Sequence, residues 1–269
     1  MIEQRLKMHL DNSARTARSA LTGAVLATLL AVAFTPAALA AETDTAASDN
    51  GASASQNQSG DEYSQANHLL FMTNHLENVE TPSKLEYSFS RRGDSNNSYD
   101  DKVDLTVESA PKQAKKVHID FLSGDRNRYV PDVNNARGNP VIMMFLQNDV
   151  LEVAQRTGGS WRYFQRQIKF ALQRDAKVED GSAEYNGQSV DVKRISFKPF
   201  KGEKVHREDI GTEAEKQYVF TLSDDVPGGV LELRTETPAT SGSNDMVVER
   251  VAFKKMDSNI VTDDDKPNA

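Results

Sequence analysis

Residues 139–172 read NPVIMMFLQNDVLEVAQRTGGSWRYFQRQIKFAL, and this stretch decides the fold. Asn139 before Pro140 joins a side chain able to cap a helix to a residue whose fixed φ suits the first helical position. Val141 to Leu146 is apolar on every side, which predicts burial all round. The helix is expected to continue through Asp149, Leu151 and Val153 to Gly158, a natural C-terminal stop. Gly158, Gly159 and Ser160 then give a tight turn and a new N-cap. Trp161, Phe164, Ile168, Ala171 and Leu172 fall on one face of the second helix, while Arg162, Arg166 and Lys169 fall on another. The stretch is a helical hairpin with one almost wholly apolar member and one amphipathic, basic member.

Strand signals flank it on both sides. Before it, Leu85, Tyr87 and Phe89, then Val103, Leu105 and Val107, then Val117, Ile119 and Phe121 alternate with polar residues, which predicts an antiparallel meander with one buried and one wet face. A short helix is expected over Leu69, Leu70, Met72, Leu76 and Val79, ending before Pro82. After the hairpin, Asn186-Gly187 is the strongest hairpin-turn signal, joining Ala183–Tyr185 to a strand from Gln188. In that strand the apolar phase jumps from Val192 to Ile195, so a β-bulge or a bend is expected at Lys193-Arg194. Tyr218, Phe220 and Leu222, then Leu231 and Leu233, then Val247, Val251 and Phe253 mark the remaining strands, the last with its register open around Glu249. One-sided strands need apolar cover, and the helical hairpin is the lid at hand. The predicted class is α+β: a curved antiparallel sheet, an incomplete barrel of about 7–8 strands, packed on a helical hairpin inserted after the third.

The ends of the 269-residue chain carry a different signal. Arg5, Lys7, Arg15 and Arg18 precede an uncharged run from Ala20 to Phe34 and then the small residues Ala37 to Ala41. That is the layout of a secretory signal peptide, 1–40, cut after Ala40, and the run is too short for the roughly 20 apolar residues of a span. Met8 is an alternative start to Met1. Residues 41–65 read as a disordered tether and 257–269 as a disordered acidic tail, leaving 66–256 as a single domain. A periplasmic location in a Gram-negative bacterium follows, with no membrane span once the leader is gone. The full chain has 32 Lys and Arg against 40 Asp and Glu, yet residues 63–256 hold 27 against 29, so the acidity lies mostly in the tails. The balance disfavours nucleic acid, and zero Cys excludes disulfides, thiolate metal sites and cysteine catalysis.

Motifs for chemistry are missing. There is no G-x-S-x-G, H-E-x-x-H, P-loop, dinucleotide fingerprint or EF-hand loop. His68 and His75 are seven apart, not the three or four that brings two imidazoles to one metal, and His118 and His206 stand alone. No catalytic residue, metal ligand or cofactor is therefore expected. Two features stand out. A loop carrying Arg126, Arg128, Tyr129 and Arg137 could hold an anionic head group or carboxylate, or could simply pair locally with Asp125 and Asp132. The basic face of Arg162, Arg166 and Lys169 could touch an acidic partner or a membrane surface, or be solvated.

The order of parts, namely leader, cysteine-free chain, early meander, helical insertion, then strands ending in VPGGVLELRTET (226–237) and MVVERVAFK (246–254), resembles the half-barrel lipoprotein-carrier family of Lol type and its uncharacterised periplasmic relatives. The resemblance is one of organisation and carries no motif. It implies an apolar cavity between sheet and helices that shelters an acyl chain, with Met143, Met144, Phe145, Trp161 and Phe164 as cavity candidates that either line such a space or fill it. The leading expectation is a non-enzymatic periplasmic protein that binds an apolar or amphiphilic ligand, a lipid or lipoprotein, under the helical lid. The alternative is an assembly or scaffolding protein that binds another envelope protein, and an enzyme of unknown type is third.

Overall fold

The computed structural model describes residues 63–93, 97–111, 114–239, 246–258 and 260. The predicted signal peptide, nearly all of the predicted tether and most of the acidic tail lie outside the described residues. Nine strands form one open, curved antiparallel sheet: β1 (Ser83–Arg92), β2 (Tyr99–Ser109), β3 (Lys115–Phe121), β4 (Val133–Ala136), β5 (Lys177–Tyr185), β6 (Gln188–Phe197), β7 (Gln217–Leu222), β8 (Val230–Pro238) and β9 (Met246–Asp257). Their order across the sheet is β4-β3-β2-β1-β9-β8-β7-β6-β5. The first and last strands thus pair at the centre, while β4 and β5 form opposite edges. The chain must cross the whole sheet between those edges, and it does so through the predicted helical hairpin, α2 (Pro140–Thr157) and α3 (Trp161–Arg174).

The meander follows its alternation closely. Leu85, Tyr87, Phe89, Val103, Leu105, Val107, Val117, Ile119 and Phe121 are all buried in one core together with Phe145, Phe164, Ile168 and Leu172 from the helices. Burying each such side chain contributes about 1.5–3 kcal/mol, which is what fixes the hairpin to the sheet. The second face is not uniformly wet. Asp104 is buried there, and hydrogen bonds from Lys102 (2.6 Å) and Lys84 (2.9 Å) outweigh burial and hold its carboxyl below the usual range.

Four expectations need correction. The sheet has nine strands, because Val133–Ala136 in the arginine-bearing loop adds an edge strand after β3 through only two pairings, too few to leave a pattern in the sequence. The N-terminal helix starts earlier and stops sooner. It comprises α1 (Gln65–Asn67) and a π-turn, His68–Met72, that closes with Thr73 N–H bonded to the His68 carbonyl. Leu76 and Val79 are buried from the turn that follows. No bulge occurs at Lys193-Arg194: β6 pairs in unbroken register with β5 and β7. The phase jump instead changes face, with Ile195 and Phe197 in the core and Val190 and Val192 buried on the other side. Finally, Val141–Leu146 is not buried all round, since Met143 is half exposed.

Asn139 ties the hairpin to the sheet. Its Oδ1 accepts from Val141 N–H (3.1 Å), and its Nδ2 donates to the Tyr87 hydroxyl (2.8 Å) and the Gly228 carbonyl (2.7 Å). Gly228 has φ +78°, and a Cβ there would lie 2.9 Å from that Nδ2, so the turn admits only glycine. Asn139→Ala removes the cap and leaves two buried oxygens short of a donor. The expected loss is about 2–4 kcal/mol in urea unfolding, whereas a loss below about 1 kcal/mol would contradict this role.

Candidate functional site

The space between α2 and the sheet is occupied by aromatic packing at one end and by charge at the other. Phe145 meets Phe220 edge-on at 5.9 Å, and Phe164 meets Phe200 at 5.4 Å. Beside them runs a chain of alternating charges. Asp149 on α2 pairs with Lys216 and accepts from the Tyr218 hydroxyl. Lys216 is 3.4 Å from Glu213, and Glu213 is 2.8 Å from Arg156. Arg156 is 3.2 Å from Glu152, Glu152 is 3.3 Å from Arg91, and Arg91 pairs with Glu249. Asp149, Lys216 and Glu249 are each at most 2% exposed.

Four carboxylates alternate with three cations in this chain, and the ends behave differently from the middle. Burial raises the pKa of Asp149 and of Glu249, because each end group touches a single cation. Glu213 is also desolvated, but Lys216 and Arg156 flank it and hold it below its ordinary value. Lys216 stays charged: burial lowers its affinity for the proton, and Asp149, Glu213 and Glu249 more than offset that. Carboxylates of raised pKa are a mark of acid–base sites, but here they are sealed, and their partners are the network itself.

Two open grooves lie elsewhere. One, of about 510 Å³, runs between the π-turn and the β5–β6 hairpin past Leu69, His75, Asp191 and Asp224. His75 is fully engaged at its edge: Nε2 donates to the Leu69 carbonyl (2.9 Å), Nδ1 accepts from Asn139 N–H (3.1 Å), and burial lowers its pKa, keeping it neutral. The other, of about 520 Å³, lies on the outer face of β6–β9 under the hairpin tip. Neither is lined by Met143, Met144, Phe145, Trp161 or Phe164.

Those five residues do not converge. Phe145 and Phe164 are core, Met144 and Trp161 are partly buried at its margin, and Met143 is half exposed. The arginine-bearing loop is pinned by its neighbours. Arg126 donates to Asp101 (2.8 Å) and stacks over Tyr99 (4.5 Å), His118 meets Asp132 (2.8 Å), and Lys116 meets Asp132 (3.1 Å). Arg128 and Arg137 are exposed, and Tyr129 is 86% exposed. Among the described residues no three His, Cys, Asp or Glu side chains form a metal-binding group, and no helix is long and apolar enough to cross a membrane.

The chain matches no known family, and no curated protein matches it. Solved structures similar to it include the Pseudomonas aeruginosa MucA/MucB complex, at 12% identity and a TM-score of 0.34 over 75% of this chain and 60% of that one. A LolA superfamily protein from Nitrosomonas europaea matches at 8% identity and a TM-score of 0.24 over 74% of this chain and 96% of that one. A DUF1329 family protein from Desulfovibrio piger matches at 12% identity and a TM-score of 0.25 over 74% and 94%. The chain spans about 60% of the length of the MucB structures.

Two outcomes follow. Lys216→Met strands Asp149 and Glu213 and is expected to cost about 3–5 kcal/mol in chemical unfolding, and adding Asp149→Leu should restore most of it. A double variant no more stable than the single would contradict the pairing. For His118, the hydrogen bond to Asp132 raises the pKa. Its contribution is therefore full below the ordinary histidine value and lost as pH rises through the raised one. NMR titration should place the His118 midpoint above that ordinary value and lower it in Asp132→Asn, with Asp120 still beside the ring; an unchanged midpoint would refute the pairing.

Proposed function

We propose that the chain is a non-enzymatic binding protein, exported to the bacterial envelope, that docks an acidic segment of another envelope protein on the outer face of α3. One observation carries this reading. The segment 161–174 holds Arg162, Arg166, Lys169 and Arg174 and no Asp or Glu. Among the described residues none of the four makes an ion pair; Arg162 lies over Trp161 (4.6 Å) and Arg174 over Phe170 (4.9 Å). Phe170 is 43% exposed beside them. Unpaired cations around an exposed aromatic ring suit a partner that brings carboxylates and an apolar side chain.

A second reading keeps the apolar or amphiphilic ligand under the helices. It rests on the open sheet wrapped on two helices, with Met144 and Trp161 at the margin of the core. It requires Phe145 and Phe164 to leave their aromatic partners and α2 to part from Arg91 and Lys216, so the first reading asks less of the fold.

Pull-down from envelope extract with the exported chain is expected to recover one stoichiometric protein and to lose it with Arg162→Glu/Arg166→Glu. Native mass spectrometry of the same protein is expected to give the mass of the polypeptide alone. A copurifying lipid would favour the second reading. Partner recovery indifferent to the charge reversal, or binding only to anionic vesicles, would overturn the first.

A further inference from the structure

The outer face of β6–β9 carries a groove that the docking face on α3 does not use. Arg194, Thr221, Glu232 and Ala252 stand in one cross-strand row, and Val219, Arg234 and Arg250 in the next. These residues alternate with Ile195, Phe220, Leu233 and Val251, which face the core, so both rows lie on the side away from α2 and α3. The tip of the β5–β6 hairpin, through Glu184 and Tyr185, walls the groove.

Its charge is unbalanced. Arg194, Arg234, Arg250 and Lys254 line it against Glu184 and Glu232. Glu232 is already committed to Arg250, at 2.5 Å. Arg234 reaches Glu236 only at 3.3 Å and Glu232 at 3.7 Å, and its Nε–H is buried with no hydrogen-bond acceptor. Arg194 is half buried, with its guanidinium beside Gly181, and has no hydrogen bond or ion pair among the described residues. A buried donor without an acceptor costs about 1–3 kcal/mol, so the Arg234 Nε–H, with the unpaired Arg194 side chain lining the same groove, leaves a place for an acceptor. Strands β6 and β8 lie two spacings apart, roughly 10 Å, with β7 and its Thr221 between them.

We propose that this groove binds a ligand bearing a carboxylate or phosphate, with Arg194 and Arg234 as the donors to its oxyanion. The guanidinium fork matches both oxyanions. The buried Val219 and Ala252 give the floor an apolar character that favours a ligand with a short hydrocarbon body. Because the groove and α3 are on opposite sides of the sheet, loss of one leaves the other intact.

The test uses sodium phosphate and sodium succinate against sodium chloride at equal ionic strength. The readouts are thermal unfolding and the arginine side-chain N–H NMR signals of the exported chain. Saturable shifts at Arg194 and Arg234 with a rise in Tm are expected for one or both oxyanions and not for chloride. The more effective anion identifies the source chemistry. Arg194→Gln should weaken the response at least tenfold, while Lys177→Gln, outside the groove, should not. If Arg194→Gln unfolds, Arg194→Lys, which keeps charge and loses the fork, should weaken phosphate several-fold. Equal responses to all three salts, or saturation unchanged in Arg194→Gln and Arg234→Gln, would overturn the site.

Discussion

Asp149 sits midway along α2 with its carboxylate against Lys216 and Tyr218, and the remaining architecture is arranged around that contact. A carboxylate so deeply buried costs several kcal/mol in lost hydration unless a cation and further donors meet it. Lys216 meets it, but Lys216 is itself buried and needs Glu213, which needs Arg156, and so on to Glu249 at the centre of the sheet. The chain of charges therefore ends only where a strand on the far side of α2 supplies the last carboxylate. It joins α2 to β1 and β9 through Arg91 and Glu249, and to β7 through Lys216 and Tyr218, the same strands that the apolar core joins.

This constraint shapes what the molecule can do. An open sheet with two helices across its concave face is an arrangement that can enclose an apolar ligand. Here aromatic rings fill one part of that interior and paired charges fill another. Lifting α2 would expose Asp149, Glu152 and Arg156 to partial hydration and would take Asp149 from Lys216, Arg156 from Glu213 and Glu152 from Arg91. The two surfaces we propose for recognition accordingly lie on the outside: a basic helix face with an exposed aromatic ring, and an arginine-lined groove on the opposite side of the sheet.

Much of the fold was legible because period-2 and helical patterns are local. The Asn139–Pro140 start, the Gly158 stop with φ +70°, and the Asn186-Gly187 turn with both φ values positive each appear where the residues place them. The edge strand Val133–Ala136 was not legible, since a four-residue edge has too few pairings to impose a pattern. The charge network was legible in principle and was missed. Arg91 continues the phase of Leu85, Tyr87 and Phe89; Lys216 begins that of Tyr218, Phe220 and Leu222; Glu249 precedes Val251 and Phe253 in phase; Asp149 lies between Phe145 and Val153 on one helical face. A charged residue in step with a buried phase signals a buried pair, whereas the identity of its partner depends on strand order. The arginine groove had no such signal, because Arg194, Arg234 and Arg250 come together only through the pairing of β6 to β9.

The claim that α2 is a fixed part of the core, and not a lid, is tested most directly by native-state amide hydrogen exchange. Amides of Phe145 to Val153 are expected to exchange only through global unfolding, with the same free energy and denaturant dependence as those of β1 and β9. Exchange of α2 through a separate opening of low free energy, with the sheet still protected, would contradict the account and return the interior to the role of a ligand cavity.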